Sequence, residues 1–180
     1  MVQFDSEIVY PAAASICATI GSVFDVKSRR VPNLLTGPAI LFGLILHLVL
    51  GGWRQMAVSA AAGLICGLVF LIFYLAGGMG AGDVKLITAV GCICGLHYIV
   101  GLLAFTAIAG GIMAAGLAIA CGRLKQTFFN VAELISHHGS AGLTPHPEIN
   151  VLNASTLRLP YALAITAGSA ITLYLQGVQR

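Results

Sequence analysis

The chain has 180 residues, of which 58% are hydrophobic and 8% are charged, and its formal net charge is +3. A typical soluble domain has about 25% charged residues, so this composition excludes an ordinary soluble fold and predicts one membrane-embedded domain over 1–180. The small net charge gives no reason to expect a nucleic-acid partner. The five cysteines lie in apolar segments without CxxC spacing, which excludes the usual patterns of a zinc site or a disulfide framework.

Six apolar segments approach the length of about 20 residues that a helix needs to cross a bilayer. They predict an all-α, polytopic protein with six transmembrane helices at 8–24, 34–50, 56–76, 84–100, 101–121 and 159–178. Only the short stretch 95–98 separates the fourth segment from the fifth. Small residues four positions apart, Gly63 with Gly67 and Gly91 with Gly95, predict surfaces where helices pack closely in lipid.

The basic residues predict the orientation, because they favour cytoplasmic loops. If the N-terminus is outside, seven of the nine lie on the cytoplasmic side and two lie outside. The seven are Lys27, Arg29, Arg30, Lys85, Arg123, Lys125 and Arg158, and the two are Arg54 and Arg180. This orientation puts two acids, Asp25 and Asp83, on the cytoplasmic side.

The polar segment 122–158 is predicted to be a cytoplasmic loop. Apolar residues near 128–135 predict one or two amphipathic turns that lie on the membrane surface. The segment also holds His137, His138 and His146. We interpret these histidines as solvated rather than as metal ligands, because no cysteine or pair of acids completes a coordination shell there. No metal site is therefore predicted.

Asp25 and Asp83 are the candidate functional residues. A charged side chain at membrane depth is costly and is a functional-site hypothesis by default. Residues 77–82 include four glycines, which predict a non-helical loop that lines a wet cavity and delivers Asp83 to it. Within this stretch Gly80 and Gly82, with Lys85 just beyond, are assigned to substrate contact. Each acid alone is also explained as a helix cap or a solvated residue, but their shared side favours one common site.

Two carboxylates that converge can share a proton. One then acts as a base on water while the other donates to the substrate carbonyl, which is aspartic proteolysis and needs no metal or cofactor. A helix N-terminus stabilises an anion, and a helix C-terminus opposes one. We therefore predict that Asp83 is the ionised member of the pair and that Asp25 is the protonated one.

Three stretches of the chain resemble the type IV prepilin peptidases, a family of GxGD intramembrane aspartyl proteases. These are 80–86 with Gly80-Ala81-Gly82-Asp83, Asp25 followed by 29–36, and 159–164 at the start of the last helix. The resemblance implies that Asp25 and Asp83 are catalytic. It also implies that the enzyme removes the cytoplasmic leader of prepilins or pilin-like proteins at the bacterial inner membrane, with its active site on the cytoplasmic side.

The resemblance is to the short, peptidase-only form found in Flp/Tad pilus systems. Members that also methylate the new N-terminus use paired cysteines, which this sequence lacks, so no methyltransferase activity is expected. Archaeal preflagellin peptidases are similar as well, so the filament system stays open. The expected partners are a prepilin and the lipid bilayer, and a homo-oligomer is left open.

Two other classes of protein compete with this interpretation. One is a small proton- or cation-coupled transporter that uses the same two aspartates. Against it, the sequence has no inverted repeat, and both acids lie near one face of the membrane. The other is an assembly subunit without enzymatic activity, which leaves the paired acids unexplained.

Overall fold

A computed structural model describes residues 6–142, Thr144, Ile149 and 159–178. Within these residues the chain forms six α-helices and no strand, which confirms the all-α prediction. The helices are α1 Ser6–Ser28, α2 Asn33–Leu75, α3 Ala81–Cys94, α4 Ile99–Ala120, α5 Leu124–Ala141 and α6 Tyr161–Val178. In this part of the chain, four segments are long and apolar enough to cross a membrane: Ile8–Ser28, Asn33–Leu75, Leu96–Ala120 and Tyr161–Val178.

Helix α2 is a hairpin of two limbs that meet at Gly52, whose φ is +77°. Both limbs contact the same end of α3. A Cβ atom on Gly43 would lie 2.9 Å from the backbone nitrogen of Ile93, and the Ser59 hydroxyl donates to the Cys92 carbonyl at 2.6 Å. In a straight helix residues 43 and 59 would be about 24 Å apart. The predicted helices at 34–50 and 56–76 are therefore the two limbs, here called the first limb (33–51) and the second limb (53–75).

Glycines bring the second limb and α3 into backbone contact. A Cβ atom on Gly63 would lie 2.9 Å from the Thr88 carbonyl oxygen, and one on Gly91 would lie 2.9 Å from the Cβ of Cys66. These contacts confirm that Gly63 and Gly91 lie on packing surfaces. Gly95 also lies on a packing surface, since a Cβ atom there would be 2.8 Å from Cε1 of His47, but its φ of +83° ends α3 at this point.

Helix α3 is the central element. It has 14 residues, about 21 Å at 1.5 Å per residue, and is shorter than the roughly 30 Å of a hydrocarbon core. The predicted fourth helix at 84–100 was too long, because Gly95 and the 3₁₀ turn Leu96–Tyr98 separate α3 from α4. Leu86, Ile87 and Val90 are fully buried. The two limbs of α2, α1 and α6 pack around this helix. Its apolar residues therefore lie on several sides rather than on one face.

Helices α4 and α6 run antiparallel and pack through small residues. A Cβ atom on Gly168 would lie 2.7 Å from the Thr106 nitrogen, and one on Gly110 would lie 2.7 Å from the Tyr161 hydroxyl. Helix α1 packs against α6 and α3.

The links between the helices lie at two opposite ends of the bundle. The aspartate end holds the links 29–32 and 76–80 and the first turn of α6, whereas the far end holds Tyr10, residues 51–54 and residues 95–98.

The basic side chains are unevenly distributed between these ends. Those at the aspartate end are Lys27, Arg29, Arg30, Lys85, Arg123 and Lys125, whereas Arg54 lies at the far end. Arg158 and Arg180 lie outside the described residues. Asp25 and Asp83 therefore share an end with most of the described positive charge. The placement of the N-terminus outside remains a prediction from this asymmetry.

The predicted loop at 122–158 was wrong for its first half, where the structure has α5. Apolar residues at 128, 131 and 135 recur at helical spacing, and the side chains of Phe128, Val131 and Ile135 are exposed. His137 and His138 lie in this helix rather than in a loop, whereas His146 lies outside the described residues. The exposed apolar face is consistent with the predicted contact with a membrane surface.

Candidate active site

Asp25 lies in the last turn of α1. The helix continues to Ser28, one turn beyond the predicted end at residue 24, and the Asp25 carbonyl accepts the Arg29 N–H at 2.7 Å. Arg29 then adopts a φ of +55°, which ends the helix before Pro32 and the start of α2. The Asp25 carboxylate is half-buried at the aspartate end.

Asp83 is the third residue of α3 and is also half-buried. Its carboxylate oxygen Oδ2 accepts the backbone N–H of Gly80 at 3.3 Å. This bond confirms the prediction that Asp83 lies at a helix N-terminus and satisfies one of the N–H groups that the first turn leaves unpaired. The loop before it is shorter than predicted, because α2 ends at Leu75 and α3 begins at Ala81.

The glycines of this loop have separate structural roles. Gly77 adopts a φ of +77°, and the Gly78 N–H bonds back to the Phe73 carbonyl at 2.9 Å, so these two residues close α2. Gly82 lies inside α3, where a Cβ atom would be 3.3 Å from the backbone nitrogen of Val31. Gly82 therefore lets α3 approach the link that follows Asp25.

Lys85 provides a second tie between these elements. Its Nζ donates to Oδ1 of Asn33 at 2.9 Å, which joins the first turns of α3 and α2. The predicted contact of Gly80, Gly82 and Lys85 with a substrate stays a prediction. In this structure Gly80 holds the Asp83 carboxylate, whereas Gly82 and Lys85 hold α3 against the α1–α2 link.

The first turn of α6 completes the site. The Ala162 N–H hydrogen-bonds to the Asp25 carboxylate. The Tyr161 hydroxyl is close enough to Asp83 for the two groups to interact electrostatically, and so are the carboxylates of Asp83 and Asp25. The structure thus brings the two predicted acids together and adds two residues to which the sequence assigned no role. The signal available in the sequence was Pro160, which marks a helix start directly before them.

The environments of the two carboxylates favour a protonated Asp83, which is the opposite of the predicted assignment. Asp83 lies outside the four segments that can span a membrane. Burial raises the pKa of Asp83 from 3.8 to about 7, the charge of Asp25 adds to this increase, and the Gly80 N–H opposes it. Burial acts on Asp25 as well, but an N–H group from the start of α6 and the charge of Arg29 oppose it by favouring the anion. The prediction of an ionised Asp83 counted the helix N-terminus and omitted desolvation, which favours the protonated form of Asp83.

An apolar pocket of about 100 Å³ is linked to the carboxylate site by Tyr161, which lines the pocket and interacts with Asp83. Its walls include Phe70 and Phe73 of the second limb, Met79 of the 76–80 link, Leu103 of α4 and Tyr161. The Tyr161 ring is fixed edge-on to the Phe70 ring, with centroids 5.8 Å apart. The site therefore combines two interacting carboxylates with an adjacent recess for an apolar side chain.

The part of the chain that the structure describes contains no group of three or more His, Cys, Asp or Glu side chains arranged to hold a metal ion. His137 and His138 lie edge-to-face with ring centroids 5.4 Å apart, and the Nδ1 of His138 bonds to the Leu134 carbonyl at 2.7 Å. These contacts are internal to α5. The chemistry that the two aspartates support is proton transfer between a water molecule and a carbonyl group.

Comparison with known proteins identifies one family. The sequence model of the type IV leader peptidase family matches residues 12–115, which is more than half of the chain. The match includes Asp25 and Asp83 and ends before α5 and α6. No curated protein and no solved structure matches this chain.

Proposed function

Because this chain belongs to the type IV leader peptidase family, we propose that it is an aspartic endopeptidase whose catalytic residues are Asp25 and Asp83. The observation that carries the proposal is the electrostatic interaction of these two carboxylates at one end of a membrane protein, each held by a different helix. The substrate is the cytoplasmic leader of a prepilin or pilin-like protein. The chain acts as a peptidase only, without methyltransferase activity.

The environments of Asp25 and Asp83 support a separate role for each carboxyl group in the hydrolysis. The Asp25 carboxylate takes a proton from water, and the resulting hydroxide oxygen attacks the scissile carbonyl carbon. Protonated Asp83 donates to the carbonyl oxygen, so the tetrahedral intermediate carries no full negative charge. The proton on Asp25 then passes to the leaving amine as the C–N bond breaks, and the dyad recovers its single proton through exchange with water.

The uneven distribution of positive charge supports a cytoplasmic active site. With the aspartate end in the cytoplasm, the described basic residues other than Arg54 face that side. The N-terminus is then outside. The two limbs of α2 act as two spans, and α3, enclosed by the other helices, completes a six-helix membrane domain in the bacterial inner membrane.

We further expect the apolar pocket to select the substrate side chain next to the cleaved bond. Its volume of about 100 Å³ is below the roughly 150 Å³ of an engineered cavity that binds benzene, so it fits an aliphatic side chain better than a large ring. A substrate with leucine at this position should be cut about 10-fold faster than one with tryptophan. Replacing Phe73 by alanine should reduce this preference, whereas Phe42→Ala, in a different groove, should not. An unchanged Leu/Trp rate ratio in Phe73→Ala would refute this role.

The function itself is tested with the purified protein in vesicles. Synthetic prepilins are added, and leader removal is followed by gel and mass spectrometry. The expected result is one cleavage at the junction between the charged leader and the hydrophobic segment. A parallel assay measures proton and potassium flux in the same vesicles. Flux without cleavage of any prepilin would favour the transporter hypothesis and defeat the proposal.

A further inference from the structure

The far end of the bundle contains a cavity that has no part in the proposed reaction. Its volume is about 680 Å³, and hydrogen-bonding side chains in its wall include Tyr10, His47, Gln55 and His97. Tyr10 and Asp25 lie on the same helix, 15 residues and therefore about 22 Å apart. The cavity and the aspartates thus lie at opposite ends of α1.

His47 is a buried polar residue in the wall of this cavity. Its side chain is 3% exposed, and the Tyr10 ring stacks on one face with centroids 4.0 Å apart. The ring nitrogen Nε2 lies 3.1 Å from the Ile93 carbonyl oxygen. A carbonyl oxygen only accepts hydrogen bonds, so Nε2 carries the proton in this contact and Nδ1 of the neutral ring is an acceptor.

The acceptor Nδ1 is buried and has no hydrogen-bond partner within the described part of the chain. A buried polar atom without a partner is destabilising, so native proteins usually supply one from a neighbouring group, water or ligand. The other ring nitrogen of His47, Nε2, already donates to the Ile93 carbonyl, at the C-terminus of α3. That bond explains why a polar ring is buried in the cavity wall but leaves Nδ1 without a partner among the described residues.

The cavity wall defines the chemistry of that donor. None of the described lining residues is Asp, Glu, Lys or Arg, so the wall favours a neutral group with hydroxyls over an ion. Arg54 directly precedes the lining residue Gln55 in sequence. Its guanidinium lies 5.8 Å from the centroid of the Trp53 ring. Trp53 is 68% exposed, which is typical of an aromatic residue at the membrane–water interface.

We propose that the far-end cavity binds the headgroup of a phospholipid that combines hydroxyls with a phosphate, as phosphatidylglycerol does. A headgroup hydroxyl donates to Nδ1 of His47, Gln55 provides a second polar contact, and Arg54 pairs with the phosphate at the rim. The acyl chains extend along the exposed apolar surface of the α2 limbs. The proposal does not depend on the peptidase function, because it concerns the opposite end of the bundle.

Trp53 is the only tryptophan in the chain and provides the measurement. The full-length protein, stripped of lipid in detergent, is titrated with short-chain phosphatidylglycerol, with phosphatidylcholine of the same chain length, and with glycerol. Tryptophan fluorescence should change saturably with phosphatidylglycerol and little with the other two. An equal response to phosphatidylcholine, or to glycerol alone, would overturn the assignment.

Variants locate the site. His47→Phe keeps the ring that stacks on Tyr10 and removes Nδ1, and should weaken phosphatidylglycerol binding about tenfold, as expected for one hydrogen bond. Gln55→Leu and Arg54→Gln, both at exposed positions, should weaken it without affecting folding. Gln126→Leu and Arg123→Gln make the same changes at the aspartate end and should bind like the wild type. If His47→Phe does not fold, Gln55→Leu and Arg54→Gln decide the question, and wild-type affinity in both would refute the site.

Discussion

Replacing either Asp25 or Asp83 by asparagine is expected to reduce leader removal by at least about 10³-fold. Asparagine keeps the size of the side chain but can neither act as the base on water nor exchange the shared proton. The measurement is the initial rate of cleavage of a prepilin by purified protein in vesicles, with membrane insertion checked for each variant. Glu133→Gln removes a carboxylate from α5 instead and should cleave at the wild-type rate.

The double variant Asp25→Asn/Asp83→Asn should be about as slow as each single variant. Two groups that act on one proton form a unit, so the loss of either removes most of what the pair contributes. Multiplicative losses would indicate two independent roles. Normal cleavage by either properly inserted single variant would show that the dyad is not catalytic.

The rate of cleavage should fall about tenfold per pH unit above about pH 7. Burial and the Asp25 charge raise the pKa of Asp83 to about 7, and the proposed mechanism requires Asp83 in its protonated form. Deprotonation above this pH removes the donor to the substrate carbonyl. A pH–rate profile from pH 5 to pH 9, on a substrate whose own groups do not titrate in that range, checks the result. A rate that stays constant to pH 9 would contradict it.

The same shift in pKa has a consequence for stability. Between pH 4 and pH 7 the folded protein keeps a proton on Asp83 that the unfolded chain, with a pKa near 3.8, releases. The unfolded state then binds fewer protons, so stability decreases as the pH rises through this window and levels off above it. Thermal unfolding at pH 5 and pH 8 should show this decrease in the wild type and a smaller one in Asp83→Asn. Equal decreases would mean that Asp83 does not keep its proton in the folded state.

Local patterns predicted the helices and the common side of the aspartates. Apolar length is a local property, so the segments around α1, α4 and α6 and the two limbs of α2 were all anticipated to within a turn or so. The basic residues predicted that Asp25 and Asp83 share an end, because charge asymmetry reflects the membrane rather than the details of packing. Those two signals were sufficient to identify the candidate dyad.

The environment of each carboxylate was not predictable in the same way. Residues 25 and 162 are far apart in sequence, so nothing local to Asp25 showed that the start of α6 would supply an N–H group to it. The local argument from helix ends therefore left out the desolvation that favours a protonated Asp83. Desolvation of Asp83 also depends on neighbours from several helices, among them Tyr161, and exists only after they have packed.

The remaining errors have local causes that were underestimated. Gly95 reads as one member of a small-residue pair, but its positive φ terminates α3 early. The segment after α4 contains enough glycine and histidine near its end to suggest a loop, whereas the spacing of Phe128, Val131 and Ile135 is sufficient for a helix. At Gly95 the positive φ ended a helix in an apolar segment, and in α5 the helical spacing of apolar residues formed a helix in a polar one.

The way α3 is held has a mechanical consequence for the active site. Hydrogen bonds from Ser59 and His47 fix the carbonyls of Cys92 and Ile93, so this helix is anchored at the end away from the aspartates as well as through Lys85 near Asp83. Asp83 lies ten residues from Ile93, at the tip of a rigid arm about 15 Å long. A tilt of only about 5° at the anchor would move its carboxylate by roughly 1 Å, a displacement that can cost an enzyme about 10²-fold in rate. The glycine contacts along this arm thus set the spacing of the two acids, and a bulkier residue there would act on catalysis from a distance.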